Sequence, residues 1–152
     1  MVKAPSWFTQ LKWRGPYSVA TLNATRVVIP EFTGCYAFTM GVAPLSPGRV
    51  LYVGEAANQS LRRRLAVYLV DYSVRKAHES HKGKGFVLQA RKRAGDHAVH
   101  VRWVEYGASP ADIHILEASL ISYLNPSAND RQEEHRHPVL GDDERLDRRL
   151  IR

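Results

Sequence analysis

Four groups of residues in this 152-residue chain have the chemistry to act on an anion. The first is one carboxylate, Glu117. On a helical wheel Ile113, Leu120, Ile121 and Leu124 all fall within roughly 60° of it, so it sits in the middle of an apolar stripe. Burying a carboxylate alone costs several kcal/mol. Glu117 therefore requires a basic partner, a proton, a metal ion, or a cleft into which the stripe opens. A buried Glu–Arg pair meets the same requirement with no function attached. The second group is Tyr36 and Tyr52, each two residues from a glycine, Gly34 or Gly54, that lets backbone or ligand approach closely. On their own, two strand tyrosines are more often core or edge residues than catalysts. The third is the run Arg62-Arg63-Arg64. Its members cannot all face one side. Arg64 shares a helical face with Tyr68, four residues on, and abuts Leu65, which holds it in place. Arg62 and Arg63 face solvent or a phosphate backbone. The fourth is the stretch from Arg75 to Arg93, with seven basic residues and one acid. Lys82, Lys84, Arg91, Lys92 and Arg93 belong to it. Such a block needs an anionic partner, or solvation, to relieve its self-repulsion.

These residues must be held by ordered elements, and the sequence marks them. Gly34 to Met40 alternates, with Tyr36, Phe38 and Met40 on one face, as a strand does. After a loop marked by Pro44, Pro47 and Gly48, Arg49 to Gly54 is rich in strand-forming residues. The two form a hairpin. Ser60 caps a helix carrying Leu61, Leu65, Leu69 and Tyr72. Phe86 to Arg93 is compatible with a short helix. His97 to Tyr106 alternates again, with Val99, Val101 and Trp103 opposite His100 and Arg102, and makes a third strand. Ser109-Pro110-Ala111-Asp112 places a cap, a proline at the first helical position and an early acid, so a helix follows and stops before Asn125-Pro126. Residues 1–30 read as an irregular lead-in packed on the domain through Trp7 and Trp13. Residues 132–152 read as a charged tail with a weak helical signal over 142–151.

Composition narrows the class. A hydrophobic fraction of 44% and a charged fraction of 24% are ordinary for a globular domain, and the length suffices for one core. One cysteine, Cys35, excludes an internal disulfide and a cysteine-rich zinc site; it reads as a small buried residue. His78 with His81, and His135 with His137, have the spacing of zinc ligands but form no four-ligand set. No apolar run approaches the roughly 20 residues that span a membrane, and residues 1–5 carry no secretory core. A cytoplasmic protein without membrane partners is expected. The net charge is +7. Residues 130–152 carry six arginines and seven acids, so the excess positive charge lies in the first 129 residues. Nucleic acid is the expected partner.

Taken in order, Gly34-Cys35-Tyr36, Tyr52-Val53-Gly54, Leu61-Arg62-Arg63-Arg64-Leu65, and Glu117 followed by Leu120-Ile121, Leu124, Pro126 and Asn129 resemble the GIY-YIG endonuclease superfamily, over roughly residues 31–131. The resemblance implies an α+β fold, a small three-stranded antiparallel sheet flanked by helices. It implies a Mg²⁺- or Mn²⁺-dependent, single-metal hydrolysis of phosphodiesters in DNA, with double-stranded DNA as the favoured partner. Tyr36 takes the place of the tyrosine proposed as general base, and Tyr52 that of the second-motif tyrosine on the same surface. Arg64 corresponds to the arginine that stabilises charge on the phosphate, Tyr68 to a tyrosine or histidine beside the nucleophile. Glu117 corresponds to the sole carboxylate ligand of the metal, and Asn129 to the asparagine that holds the wall of the site. Arg62, Arg63, Lys82, Lys84, Arg91, Lys92 and Arg93 are then candidate DNA contacts. The chain departs from the family's pattern at Glu55, where the repair branch has lysine. It also departs in its longer hairpin loop and in a basic insertion over 75–96. The alternatives are a nucleic-acid-binding module that keeps the fold without cleavage, and an RNA-directed or toxin nuclease.

Overall fold

The computed structural model describes residues 3–70, 82–129 and 138–152. The histidines at 78, 81, 135 and 137, Arg75, Tyr72 and the Lys82 side chain lie outside the described residues. In chain order the elements are α1 (Ser6–Gln10), β1 (Arg14–Ser18), α2 (Val19–Ala24), β2 (Gly34–Met40), β3 (Tyr52–Ala56), α3 (Leu61–Ala66), α4 (Lys82–Ala94), β4 (Val99–Glu105) and α5 (Pro110–Leu124). Short 3-10 turns cover Arg26–Val28 and Arg148–Leu150. The architecture is α+β. Among the described residues no helix is long and apolar enough to cross a membrane.

The strands form one open antiparallel sheet in the order β1-β4-β2-β3. The expectation of three strands is therefore corrected to four. The added edge strand, β1, comes from the segment read as an irregular lead-in. Gly15, at φ +101°, and Pro16 sit in an irregularity between Arg14, opposite Trp103, and Tyr17, opposite Val101. A proline lacks the N–H that a central strand needs and is tolerated at edges and bulges. The Gly-Pro pair thus interrupts β1 without ending it.

Alternation along the strands builds two cores. Tyr36, Phe38, Tyr52, Val99, Val101 and Trp103 face α2, α3 and α4, together with Leu22, Leu61, Leu65, Tyr68 and Val87. Cys35, Ala37, Val53 and Val104 face α5 and the chain ends, with Trp7, Ile113, Leu116, Leu120 and Leu146. Cys35 is buried, as expected of a small apolar-like side chain. The segment from 138 onward is tied down. The Ser6 amide donates to the Asp142 carbonyl at 2.7 Å, Gln10 exchanges two hydrogen bonds with the Leu146 backbone, and Ile151 bridges Tyr106.

Helix ends follow local chemistry. Ser60 accepts from the Arg63 amide and starts α3; Ser109 accepts from the Asp112 amide and starts α5. Asn125, at φ +49°, ends α5 in the left-handed conformation that asparagine tolerates. From Lys82 onward the basic stretch forms a helix, α4, longer than the one expected over Phe86 to Arg93. Gly83 at its start lies against the ring of Tyr52, where any Cβ would collide. That close approach seats α4 over the tyrosine face of the sheet.

Candidate active site

β2 and β3 pair so that Tyr36 stands opposite Gly54. A Cβ at Gly54 would overlap the Tyr36 ring and hydroxyl, so the glycine makes the room in which this side chain lies. α3 and the turn after it bring two more groups to the same point. The Tyr36 and Tyr68 hydroxyls are 2.7 Å apart, and Arg64 Nε donates to the Tyr36 oxygen at 3.4 Å. Tyr52 flanks them, its ring 6.2 Å from that of Tyr68. Three tyrosines and one arginine, drawn from three separate stretches of sequence, therefore form one cluster.

Their electrostatics are those of a dry site. Tyr36 is fully buried, and its pKa is pushed up to about 12. Burial is the main cause; the Glu117 charge adds to it, while Arg64 and the hydrogen bond from Tyr68 oppose it. Tyr68 is raised well above its ordinary value, first by burial and then by its tyrosine neighbours. Burial alone would lower Arg64, but the neighbouring tyrosine oxygens outweigh it and raise it. At neutral pH these tyrosines are phenols and the arginine is a cation.

A consequence for stability follows. A phenol whose pKa is higher folded than unfolded stabilises the fold fully below the unfolded value of about 10. That contribution is lost as pH rises from there through about 12, the folded value of Tyr36. It amounts to roughly 3 kcal/mol for a shift of this size. The melting temperature is expected to fall more steeply with pH above about 10 in the wild-type protein than in Tyr36→Phe. Parallel curves for the two proteins would contradict the burial-driven shift.

Glu117 projects from α5 and is half-buried, so the apolar stripe does open around it. It lies within electrostatic reach of both Tyr36 and Cys35. The Cys35 thiol is raised far above the usual range, first by burial and then by Glu117 and Glu55, and so is no thiolate. Asn129 is not among the tyrosines. Its side chain makes two hydrogen bonds, each 2.8 Å, to the Val53 N–H and C=O. It pairs with the edge of β3 as another strand would, and so fixes the strand that carries Tyr52 and Gly54.

A pair not anticipated from the sequence sits beside Glu117. Glu55 on β3 faces His114 on α5, with Oε1 3.7 Å from Nδ1. Glu55 Oε2 is buried without a hydrogen-bond partner. Its only sequence signal is its place after Gly54. Among the described residues no group of three or more histidine, cysteine, aspartate or glutamate side chains is placed to hold a metal ion. The donor set suits a hard divalent ion that keeps most of its waters, which needs only one or two carboxylates. Glu117, with the spare acceptor on Glu55 nearby, fits that requirement.

The expected DNA contacts divide. Arg63, Lys92 and Arg93 are exposed. Arg62 is turned inward to the Ile29 and Val27 carbonyls and pairs with Glu31 at 3.1 Å. Lys84 is largely buried, and Arg91 is only 2% exposed. Both Asp96 oxygens accept from Arg91, whose Nη1 donates to the Tyr68 and Val70 carbonyls at 2.9 and 2.6 Å. Arg91 is thus corrected from a backbone contact to an internal brace that holds the chain at Tyr68. Its position on the same helical face as Val87, four residues earlier, was the available signal. Comparison of the chain with family models, curated proteins and solved structures finds no match.

Proposed function

We propose that the protein is a divalent-metal-dependent endonuclease of the GIY-YIG type, acting on phosphodiesters in DNA. The observation that carries this reading is the convergence of Tyr36, Tyr52, Arg64 and Tyr68 in one cluster, with Glu117 in electrostatic reach of it. These residues span 82 positions of sequence, from 36 to 117. The arginine and the three tyrosines meet on one face of the β2–β3 hairpin.

The proposed chemistry needs an activated water, neutralised phosphoryl oxygens and help for the leaving oxygen. Glu117 would hold a magnesium or manganese ion, which would supply Lewis-acid activation and charge neutralisation. Arg64 supplies fixed positive charge, oriented by its hydrogen bond to Tyr36. Tyr36 holds a proton at its hydroxyl oxygen at neutrality, because burial keeps it neutral. Acting as a base therefore requires Tyr36 to give up that proton first; Tyr68, the hydroxyl 2.7 Å away, is itself a neutral phenol and can take it only as it releases its own proton to a further acceptor. Asn129 and Arg91 position the strand and turn that carry the cluster.

The complete burial of Tyr36 favours a second reading, a binding module in which the cluster only fastens α3 to the sheet. Supercoiled plasmid separates the two. Nicked and linear products should form with Mg²⁺ or Mn²⁺ and vanish with chelator, while the melting temperature moves little. No cleavage of plasmid, single strands, branched junctions or RNA in either metal would leave the binding module standing.

DNA affinity gives an independent check. Replacing Lys92 and Arg93 with alanine should weaken binding to all sequences alike and flatten the log–log salt slope by up to about two units. Arg91 is left in place because it is internal. An unchanged slope would make these cations a solvated helix face.

A further inference from the structure

The outer face of α4 combines two features that the reading above does not use together. Around the helix, Gly85, Phe86, Gln89, Lys92 and Arg93 fall on one arc of about 120°. Val87, Lys84 and Arg91 occupy the opposite arc and are buried. The outer arc holds no acidic residue. Its single large apolar side chain is Phe86, 49% exposed. An isolated exposed apolar residue is ordinary on a protein surface. This one differs in its setting, for it lies on a cationic ridge with Gln89, Lys92 and Arg93 exposed along the same arc. Beside it, a Cβ added at Gly85 would meet nothing within 4 Å among the described residues. One turn back, Gly83 rests on the Tyr52 ring. The helix therefore runs directly from the tyrosine cluster to Phe86.

We propose that this face of α4 is a binding site for single-stranded or locally unpaired nucleic acid, in which an unstacked base lies on the Phe86 ring while Lys92 and Arg93 hold the flanking phosphates. The charge selects a polyanion. The aromatic ring selects an accessible base face, which a continuous duplex does not offer. Cations alone would bind duplex and single strand through their phosphates; the added ring favours strands with bases free to stack. This deepens the proposed function, on which it rests, by naming the substrate class: DNA carrying unpaired bases next to the cleaved bond.

Binding of fluorescein-labelled 15-nucleotide oligothymidine and of a labelled duplex, measured by anisotropy in chelator so that nothing is cut, tests the proposal. Phe86→Ala should weaken single-strand binding about 5- to 150-fold, as expected for loss of one base–aromatic stack, and leave duplex binding within about 2-fold. Phe86→Tyr should restore the single-strand affinity. A 2-aminopurine within the strand should lose its protein-induced quenching in Phe86→Ala and recover it in Phe86→Tyr. Equal losses on both probes, or no loss on either, would overturn the stacking site and leave the nuclease reading intact. If the wild-type protein binds neither probe, both the site and the reading beneath it fail.

Discussion

Protein carrying Glu117→Gln is expected to fold, to bind DNA about as well as wild type, and to cleave it at least about 10³-fold more slowly. The substitution keeps the shape of the side chain and removes its charge. Glu117 is half-buried on a helix whose other side chains supply the packing, including Ile113, Leu116, Leu120 and Leu124. The apolar packing of α5 therefore does not depend on the carboxylate charge. Catalysis does, on the proposed reading, since Glu117 is the carboxylate that reaches the tyrosine cluster electrostatically. A second readout is independent of activity. The Glu117 charge raises the Tyr36 pKa, so its removal should lower the alkaline titration of that phenol, followed by phenolate absorbance. Undiminished cleavage at the same metal concentration would remove Glu117 from the mechanism. A variant that fails to fold would instead assign the carboxylate to a structural pair.

The parts of the fold that were legible in the sequence are those written in local chemistry. β2 occupies residues 34–40 as its alternation requires, and α5 begins after Ser109 and ends at Asn125, where the cap and the proline place its limits. β1 was not legible, because an edge strand needs no alternation of its own and Gly15-Pro16 imitates a loop. The second hairpin strand is ordered from Tyr52 rather than Arg49, but the Leu51 amide still donates to the Phe38 carbonyl, so the pairing begins just before the strand proper. α4 was legible as charge and not as orientation. Counting cations takes each as solvated, whereas Arg91 finds Asp96 five residues on and two carbonyls from another part of the chain.

The site shows the same division. Arg64 lies near the end of α3 and Tyr68 in the turn after it, for the helix expected to run on through Leu69 stops at Ala66; the four-residue spacing still brings both to Tyr36. That their partner is Tyr36 depends on α3 crossing β2, a tertiary fact. Asn129 could be singled out only by motif order; its partner, the backbone of Val53, carries no side-chain signature. The Glu55–His114 pair joins a strand to a helix across nearly sixty residues, and each member has an ordinary local context.

Arg64→Ala and Tyr36→Phe are expected to slow cleavage by about 10²–10³-fold and 10²–10⁴-fold respectively, with little change in DNA affinity. Their effects on stability should differ. Arg64 is only half-buried, and its removal leaves the 2.7 Å Tyr36–Tyr68 hydrogen bond in place. Removing the Tyr36 hydroxyl leaves the buried Tyr68 oxygen short of that partner, at a cost of about 1–3 kcal/mol. Tyr36→Phe should therefore be the less stable of the two near neutral pH, and the less sensitive to alkali. Arg64→Lys should recover little activity, because a lysine cannot reproduce the planar guanidinium that donates from Nε. Arg64 and Tyr36 touch, so their losses should not multiply. The double variant should be only slightly slower than the slower single variant if the two groups serve one step as a unit. Losses that multiply would mean that they act separately. Wild-type turnover in Tyr36→Phe would return that residue to the core and make another group the base, with Tyr52 and Tyr68 next in line. Wild-type turnover in Arg64→Ala would remove the fixed positive charge from the mechanism and favour the binding module.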